Sequence, residues 1–148
     1  MSYEGELTTI APSVVGPKPA RPIPVYLPAS SPRALRRLVE RADGWMPVGM
    51  GASNLAADWR RVQDAAADRE RSLEVCMRAN VAYMPKPYEG AGRMPFQGSV
   101  AQIVEDVAAH AETGVGEILL ELQSTPRDAE ELIDVAAEVY AAARAAGI

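Results

Sequence analysis

The order of the predicted elements constrains the fold more than any other feature of this sequence. Four short apolar segments each precede a segment with apolar residues at helical spacing, and no two predicted strands are joined by a hairpin turn. Strands that are separated by a helix run parallel, with right-handed crossovers. The apolar residues, 48% of the chain, are mostly Ala, Val and Leu, which suits helices packed on a sheet. We therefore predict one α/β domain with a parallel sheet.

The first unit follows a proline-rich segment. Residues 1–24 are predicted to form an extended lead-in, because the prolines at positions 17, 19, 22 and 24 lack an amide donor. Residues 25–148 then hold the four β/α units. The first strand is Val25-Tyr26-Leu27, and Ser31 with Pro32 starts a helix. Gly44 is predicted to end that helix in a left-handed conformation.

The second and third units differ in the strength of their strand signals. Residues 45–48 predict a weak strand, after which Ser53 or Asn54 caps a helix. The apolar stripe of that helix is Leu55, Trp59, Val62 and Ala66. Period-two alternation over residues 73–84 predicts the longest strand of the chain. The polar or small side chains interleaved along it are Glu74, Cys76, Arg78 and Asn80.

Helix-capping residues mark the last two units. Ser99 and Gln102 have the spacing of a capping box, which starts the third helix. The predicted buried stripe of this helix is Val100, Ile103, Val104, Val107 and Ala111. Residues 118–122 predict the fourth strand, and the segment 125–128 caps the last helix.

Charge and cysteine content exclude several classes of partner. The net charge of −5 argues against nucleic acid, which binding proteins meet with clustered Lys and Arg. One basic run, Arg33, Arg36, Arg37 and Arg41, is either a solvated helix face or an anion or partner contact. Cys76 is the only cysteine, which excludes an intrachain disulfide and favours a reducing compartment. No stretch reaches the ~18–20 apolar residues that span a bilayer, so we expect a cytoplasmic protein without a membrane partner.

Four connections follow the predicted strands, at the edge of a parallel sheet where ligands bind. Residues 29–31, Ala-Ser-Ser, offer hydroxyls and helix N–H groups to a phosphate or a ring edge, although a Ser-Pro pair is also a common helix start. Residues 49–51, Gly-Met-Gly, let the backbone approach a ligand closely. The other two connections are residues 85–98 and 123–125.

The remaining reactive side chains do not predict a catalytic set. In the loop 85–98, Arg93 and Phe96 belong either to a mobile lid or to an exposed connection. His110 lies inside the third helix, where a general base is not expected. Cys76 is interpreted as a small buried side chain. No His, Cys or carboxylate cluster has the spacing of metal ligands, so no metal site is predicted.

Several motifs resemble the luciferase-like monooxygenase family. They are, in order, Pro17-Lys18-Pro19, Arg21-Pro22-Ile23-Pro24-Val25-Tyr26-Leu27, Ser31-Pro32-Arg33-Ala34-Leu35-Arg36-Arg37, Ala42-Asp43-Gly44-Trp45-Met46-Pro47 and Pro95-Phe96-Gln97-Gly98-Ser99. The resemblance extends from about Tyr3 to the end of the chain.

This resemblance implies a fold, a cofactor and a site. Family members are eightfold β/α barrels of the TIM type that use FMN or coenzyme F-420, and this chain resembles their C-terminal half, a parallel (β/α)4 unit. The family's connection after its fifth strand lies against the cofactor, which carries over to Ala29, Ser30 and Ser31. The connection after its sixth strand borders the substrate, which carries over to Val48, Gly49 and Met50.

Two departures from the family pattern bear on activity. Many relatives have a glycine pair where this chain has Pro28-Ala29. The first four strands, which in the family carry the usual acid or base, are absent.

Two hypotheses follow from the half-barrel interpretation. The chain is either part of an oxidoreductase that needs an N-terminal half or a second copy, or a non-catalytic remnant that binds a cofactor or oligomerises. A half barrel leaves two strand edges and, we expect, one apolar sheet face open. We therefore predict that it is not a stable monomer.

Overall fold

The computed structural model describes residues 2–14 and 16–148. Its strands are β1 (Tyr3–Glu4), β2 (Thr9–Ile10), β3 (Tyr26–Leu27), β4 (Gly44–Trp45), β5 (Glu74–Asn80), β6 (Ala82–Tyr83), β7 (Gln97–Gly98) and β8 (Glu117–Glu121). Its helices are α1 (Pro32–Arg41), α2 (Ala52–Ala65), α3 (Val100–Ala111) and α4 (Ala129–Ala145).

The central element is a four-stranded sheet in the order β3-β4-β5-β8, in which every pair is parallel. Helices α1, α2 and α3 each connect one strand to the next in this order, and α4 follows β8. The predicted α/β fold with four parallel β/α units is confirmed. Each strand lies beside the strand that precedes it in the unit order, so the sheet is built by simple repetition of the unit.

The core lies between one face of this sheet and the helices. Val75, Met77 and Ala79 of β5 are buried there, because alternate residues of a strand point to the same face. The helices contribute the buried residues Leu38, Leu55, Trp59, Val62, Ile103, Val135 and Val139. Trp45 of β4 stacks on Trp59 of α2 with ring centroids 6.1 Å apart, which fixes α2 over the sheet.

The opposite sheet face is polar, and the expectation of an apolar open face is wrong. The strand register places on it Tyr26, Gly44, Glu74, Cys76, Arg78, Asn80, Glu117, Leu119 and Glu121. Two side-chain pairs lie across it, since Tyr26 donates to Glu74 and Arg78 binds Glu121. The prediction failed because the apolar alternation of residues 73–84 describes the helix-facing side alone.

Local signals located the helices well, with two differences at their ends. Ser31 caps α1 as predicted. At the start of α3 the Gln102 side chain accepts the Ser99 N–H, which is one half of the predicted capping box, while the Ser99 hydroxyl has no partner among the described residues. Gly44 does not end α1. The helix ends at Arg41, its C-cap Ala42 is extended, and Gly44 belongs to β4. The N-cap of α2 is Gly51, two residues before the predicted Ser53.

The predicted strand over residues 73–84 is divided in two. The segment β5 ends at Asn80, and β6 leaves the main sheet to pair in parallel with β7. The N–H of Ala82 donates to the carbonyl of Phe96 at 3.0 Å, so the loop 85–98 folds back onto the end of the strand. This pairing joins residues 14 or 15 positions apart and has no counterpart in the local sequence pattern.

The N-terminal segment contains a hairpin that the sequence did not predict. Strands β1 and β2 pair antiparallel, with Tyr3 opposite Ile10 and Glu4 opposite Thr9. Both strands are exposed and lie outside the parallel sheet. Within the described residues, the predicted extended segment contains no strand or helix from residue 11 to residue 25, and its Val15 lies outside the described residues.

Candidate functional site

The connection between β3 and α1 lines a cavity of about 190 Å³. Ser31 caps α1, because its hydroxyl accepts the N–H of Ala34 at 3.2 Å and Pro32 occupies the first helical position. The cavity lies between this connection and α2, and its lining includes Ala29, Ser30, Ser31, Trp45, Asp58 and Arg61. The three residues predicted to touch a cofactor are therefore brought together around one space.

Trp45 lines this cavity, and its indole N–H is a buried donor. Trp45 is 2% exposed, and within the described part of the chain its Nε1 has no hydrogen-bond partner. A buried donor without a partner costs about 1–3 kcal/mol. Arg61 brings a positive charge, although it binds Asp58 at 2.8 Å.

The size of the cavity limits what it can hold. Sites for drug-sized ligands usually measure about 300–1,000 Å³. A space of about 190 Å³ accommodates a phosphate-sized group better than a three-ring flavin. The residues present therefore fit the phosphate end of a flavin-type cofactor, and a ring would need surfaces outside this cavity.

The second predicted loop lies at the end of β4 and is held by the neighbouring strand. Val48 forms a parallel bridge with Arg78, and the N–H of Gly49 donates to the Arg78 carbonyl at 2.9 Å. Gly49 has φ 62, a left-handed conformation that favours glycine. Val48 is exposed and Met50 is partly buried against the core.

The two predicted loops are not joined into one pocket. The cavity lined by Ala29, Ser30 and Ser31 does not include Val48, Gly49 or Met50. The described residues of this chain thus supply two separate patches at the same end of the sheet.

The Arg78–Glu121 pair was missed as a site feature, although it lies beside the second loop. Glu121 accepts from Arg78 and from Gln123, and these hydrogen bonds, Arg78 first, lower the pKa of the Glu121 carboxyl. Asn80 shares this face, next to Gly49. The alternation of residues 73–84 already placed Arg78 and Asn80 on one side, and that was the available signal.

A second polar pair lies at the other end of the open face. Tyr26 donates a hydrogen bond to Glu74, which together with burial raises the pKa of Tyr26 to about 12. Glu74 begins β5, so this pair lies at the N-terminal ends of the strands, where residues of β/α barrels serve stability.

Comparison with known proteins assigns a family to this arrangement. A family model described as luciferase-like monooxygenase matches residues 1–89, more than half of the chain. The chain belongs to the luciferase-like monooxygenase family. No curated protein matches it.

One similar solved structure supports the fold of this luciferase-like chain. It is a coenzyme F-420-dependent secondary alcohol dehydrogenase in complex with an F-420–acetone adduct, with a TM-score of 0.65 and 16% identity. The match covers 97% of this chain and 56% of the dehydrogenase. The luciferase-like chain therefore spans little more than half the length of that neighbour.

The loop 85–98 is anchored to α3 in this family member. Phe96 is 0% exposed, so its side chain is not part of an exposed connection. The carboxylate of Asp106 binds Arg93 through two hydrogen bonds of 2.8 Å and accepts the N–H of Phe96 at 2.7 Å. Gln102 exchanges hydrogen bonds with the backbone N–H and carbonyl of Tyr88.

His110 and Cys76 are both buried. His110, interpreted from the sequence as non-catalytic, contacts the carbonyls of Asp106 and Met50. Cys76 is a buried free thiol, as predicted, and burial raises its pKa. Among the described residues no group of three His, Cys, Asp or Glu side chains is placed to hold a metal ion. None of the helices in residues 2–14 and 16–148 is long and apolar enough to cross a membrane.

Proposed function

We propose that this chain is the C-terminal half of a luciferase-like oxidoreductase that uses FMN or coenzyme F-420 and acts together with an N-terminal half or a second copy. The observation that carries the proposal is the family match of residues 1–89, in a chain whose parallel four-stranded fold matches only 56% of the similar dehydrogenase. Strands β3 and β8 each have one neighbour in this sheet, so both edges are available for further strands.

The proposed cofactor contact is the connection Ala29, Ser30 and Ser31. It is supported by the cavity that these residues line together with Trp45, Asp58 and Arg61. Phosphate oxygens accept hydrogen bonds, and a helix N-terminus favours an anion. When bound, the reduced flavin or deazaflavin would supply the electrons of the redox step. We favour coenzyme F-420, because the similar dehydrogenase contains it.

The proposed substrate-side loop is Val48, Gly49 and Met50. The left-handed Gly49 gives it a bend without a side chain, which lets a ligand approach the backbone. Exposed Val48 offers an apolar contact at the ends of β4 and β5. A small organic substrate is the class of ligand that such a surface suits.

We assign the acid or base of the reaction to the N-terminal half or second copy with which this chain is proposed to act. Neither proposed loop contains a His, Asp, Glu, Lys, Cys or Tyr side chain. The same observation favours the second candidate, a non-catalytic remnant that binds cofactor or oligomerises. The cytoplasm is the proposed location, on the basis of the single free cysteine.

Titration with FMN and coenzyme F-420, followed by absorbance and fluorescence, tests the proposal. Replacing Ser30 with Leu should weaken binding about tenfold or more, because the larger side chain fills the cavity and removes a hydroxyl. Ser30 is a better choice than Ser31, whose loss would also remove the helix cap.

The matched control is Ser72→Leu, an exposed serine next to the N-terminal end of β5, far along the strand from the proposed site. It should leave the affinity unchanged. Absence of binding to either cofactor, both alone and with an N-terminal barrel half supplied, would count against the enzyme hypothesis. An equal loss of cofactor affinity in both variants would show that residues 29–31 do not form the cofactor site.

A further inference from the structure

Helix α3 carries three polar side chains that each hold the backbone of a loop at the ligand-binding end of the sheet. Gln102, Asp106 and His110 are four residues apart, so they lie along one face of the helix. Gln102 and Asp106 bind the loop 85–98, and His110 binds Met50. One helix therefore positions two separate connections.

The contacts of His110 set a requirement on its protonation. Its Nε2 lies 2.9 Å from the Met50 carbonyl oxygen and its Nδ1 lies 2.6 Å from the Asp106 carbonyl oxygen. Both partners are acceptors only, and a neutral imidazole has a single N–H to donate. The ring satisfies both carbonyls only when both nitrogens carry a proton.

The surroundings of the imidazole leave this requirement intact. His110 is 2% exposed, so water does not compete freely for the two carbonyls. The Phe96 ring packs against it with centroids 4.8 Å apart. The charged side chains of α3 and its C-cap are Glu105, Asp106 and Glu112, and those of the loop 85–98 are Lys86, Glu89 and Arg93. Asp106 and Arg93 bind each other as an ion pair. The loop 48–51 contributes no charged side chain.

We propose that His110 is a positioning residue whose doubly protonated form holds the loop 48–51 to α3 more firmly than its neutral form does. Loss of one proton removes one of two donors, so the loop is held more firmly at low pH than at high pH. This contact is a property of the fold. Its effect on substrate binding rests on the proposed function of this loop.

Nuclear magnetic resonance of the nitrogen-15-labelled chain, without a histidine tag, tests the proposal directly. His110 is the only histidine, so its ring signals need no assignment. Both ring nitrogens should be protonated at low pH. As the ring loses its proton with rising pH, the protection of the Gly49 amide against hydrogen exchange should fall about tenfold.

Two variants complete the experiment. His110→Gln keeps an amide donor without a titrating ring, so the protection of Gly49 should no longer follow the ring's titration. Glu112→Gln changes an exposed charge at the end of the same helix and should behave as the unmodified chain. A single neutral tautomer at every pH, or pH-dependent protection that persists in His110→Gln, would overturn the proposal. No cofactor is present, so failure here is distinct from failure to bind FMN or coenzyme F-420.

Discussion

Gly44 shows how one residue sets the approach of three strands. It lies between Tyr26 of β3 and Glu74 of β5 in the sheet register. A Cβ atom at this position would collide with the Tyr26 ring and would lie 2.8 Å from the Glu74 carbonyl oxygen. The glycine therefore makes room for the Tyr26–Glu74 hydrogen bond, and a left-handed conformation is not the reason for it.

Gly44→Ala should lower the free energy of unfolding by about 1–3 kcal/mol, because the Tyr26 ring must move and the Glu74 carbonyl belongs to the backbone. Urea unfolding followed by circular dichroism measures the change. Gly116→Ala is the control, since its nearest neighbour would lie 3.9 Å away, and it should change stability by less than about 1 kcal/mol. Equal effects of the two substitutions would contradict the steric explanation.

At the scale of the element, α3 does more than cover the sheet. Its apolar residue Ile103 enters the core, while its polar face holds the two loops that follow β4 and β5. Asp106 is the centre of this face, with three donors from Arg93 and Phe96 on its carboxylate. Phe96 has φ 60, a strained conformation for a residue other than glycine, and the N–H bond to Asp106 helps to hold it.

Asp106→Asn should free the loop 85–98, because a neutral amide cannot accept both Arg93 bonds and the Phe96 N–H. We expect a loss of about 1–3 kcal/mol in unfolding free energy and faster proteolytic cleavage within this loop. Asp134→Asn, an exposed position on α4, is the control and should cleave at the original rate. An unchanged cleavage pattern in Asp106→Asn would show that the anchor is dispensable.

At the scale of the whole molecule, the sheet is bounded by β3 and β8, which each have one free edge. Along the β8 edge, a groove of about 400 Å³ is lined by Leu119, Leu122 and Leu132. Ile133 and Tyr140 of α4 are exposed as well. Free edges next to apolar surface favour association with further β/α units, even though the open sheet face is polar.

We therefore expect sedimentation of the purified chain to show concentration-dependent association. Leu119 is 51% exposed on the edge strand. The substitution Leu119→Lys should weaken association, because a charged edge opposes strand pairing. Leu7→Lys is the control, at a residue that is 97% exposed outside the parallel sheet. A monomer at all concentrations would refute the prediction.

Features that depend on neighbouring residues could be read from the sequence. The alternation of strand and helix, the Ser31 cap, the Gln102 half of the Ser99–Gln102 capping box and the Leu55, Trp59 and Val62 stripe are confirmed. Each depends on residues within one or two helical turns, so its physical cause lies in the local pattern. The predicted site residues Ala29, Ser30 and Ser31 do share a cavity, while Val48, Gly49 and Met50 lie apart from it.

The amino-acid sequence by itself determined the repeated β/α unit, the helix starts and the apolar stripes, because backbone preferences and periodicity act over a few residues. Only the tertiary structure decided the polar open face, the anchored loop and the place of His110. Arg78 contacts Glu121, which lies 43 positions away in the sequence, and His110 contacts Met50, which lies 60 positions away. Such partners are chosen by strand register and helix packing, which no local pattern records.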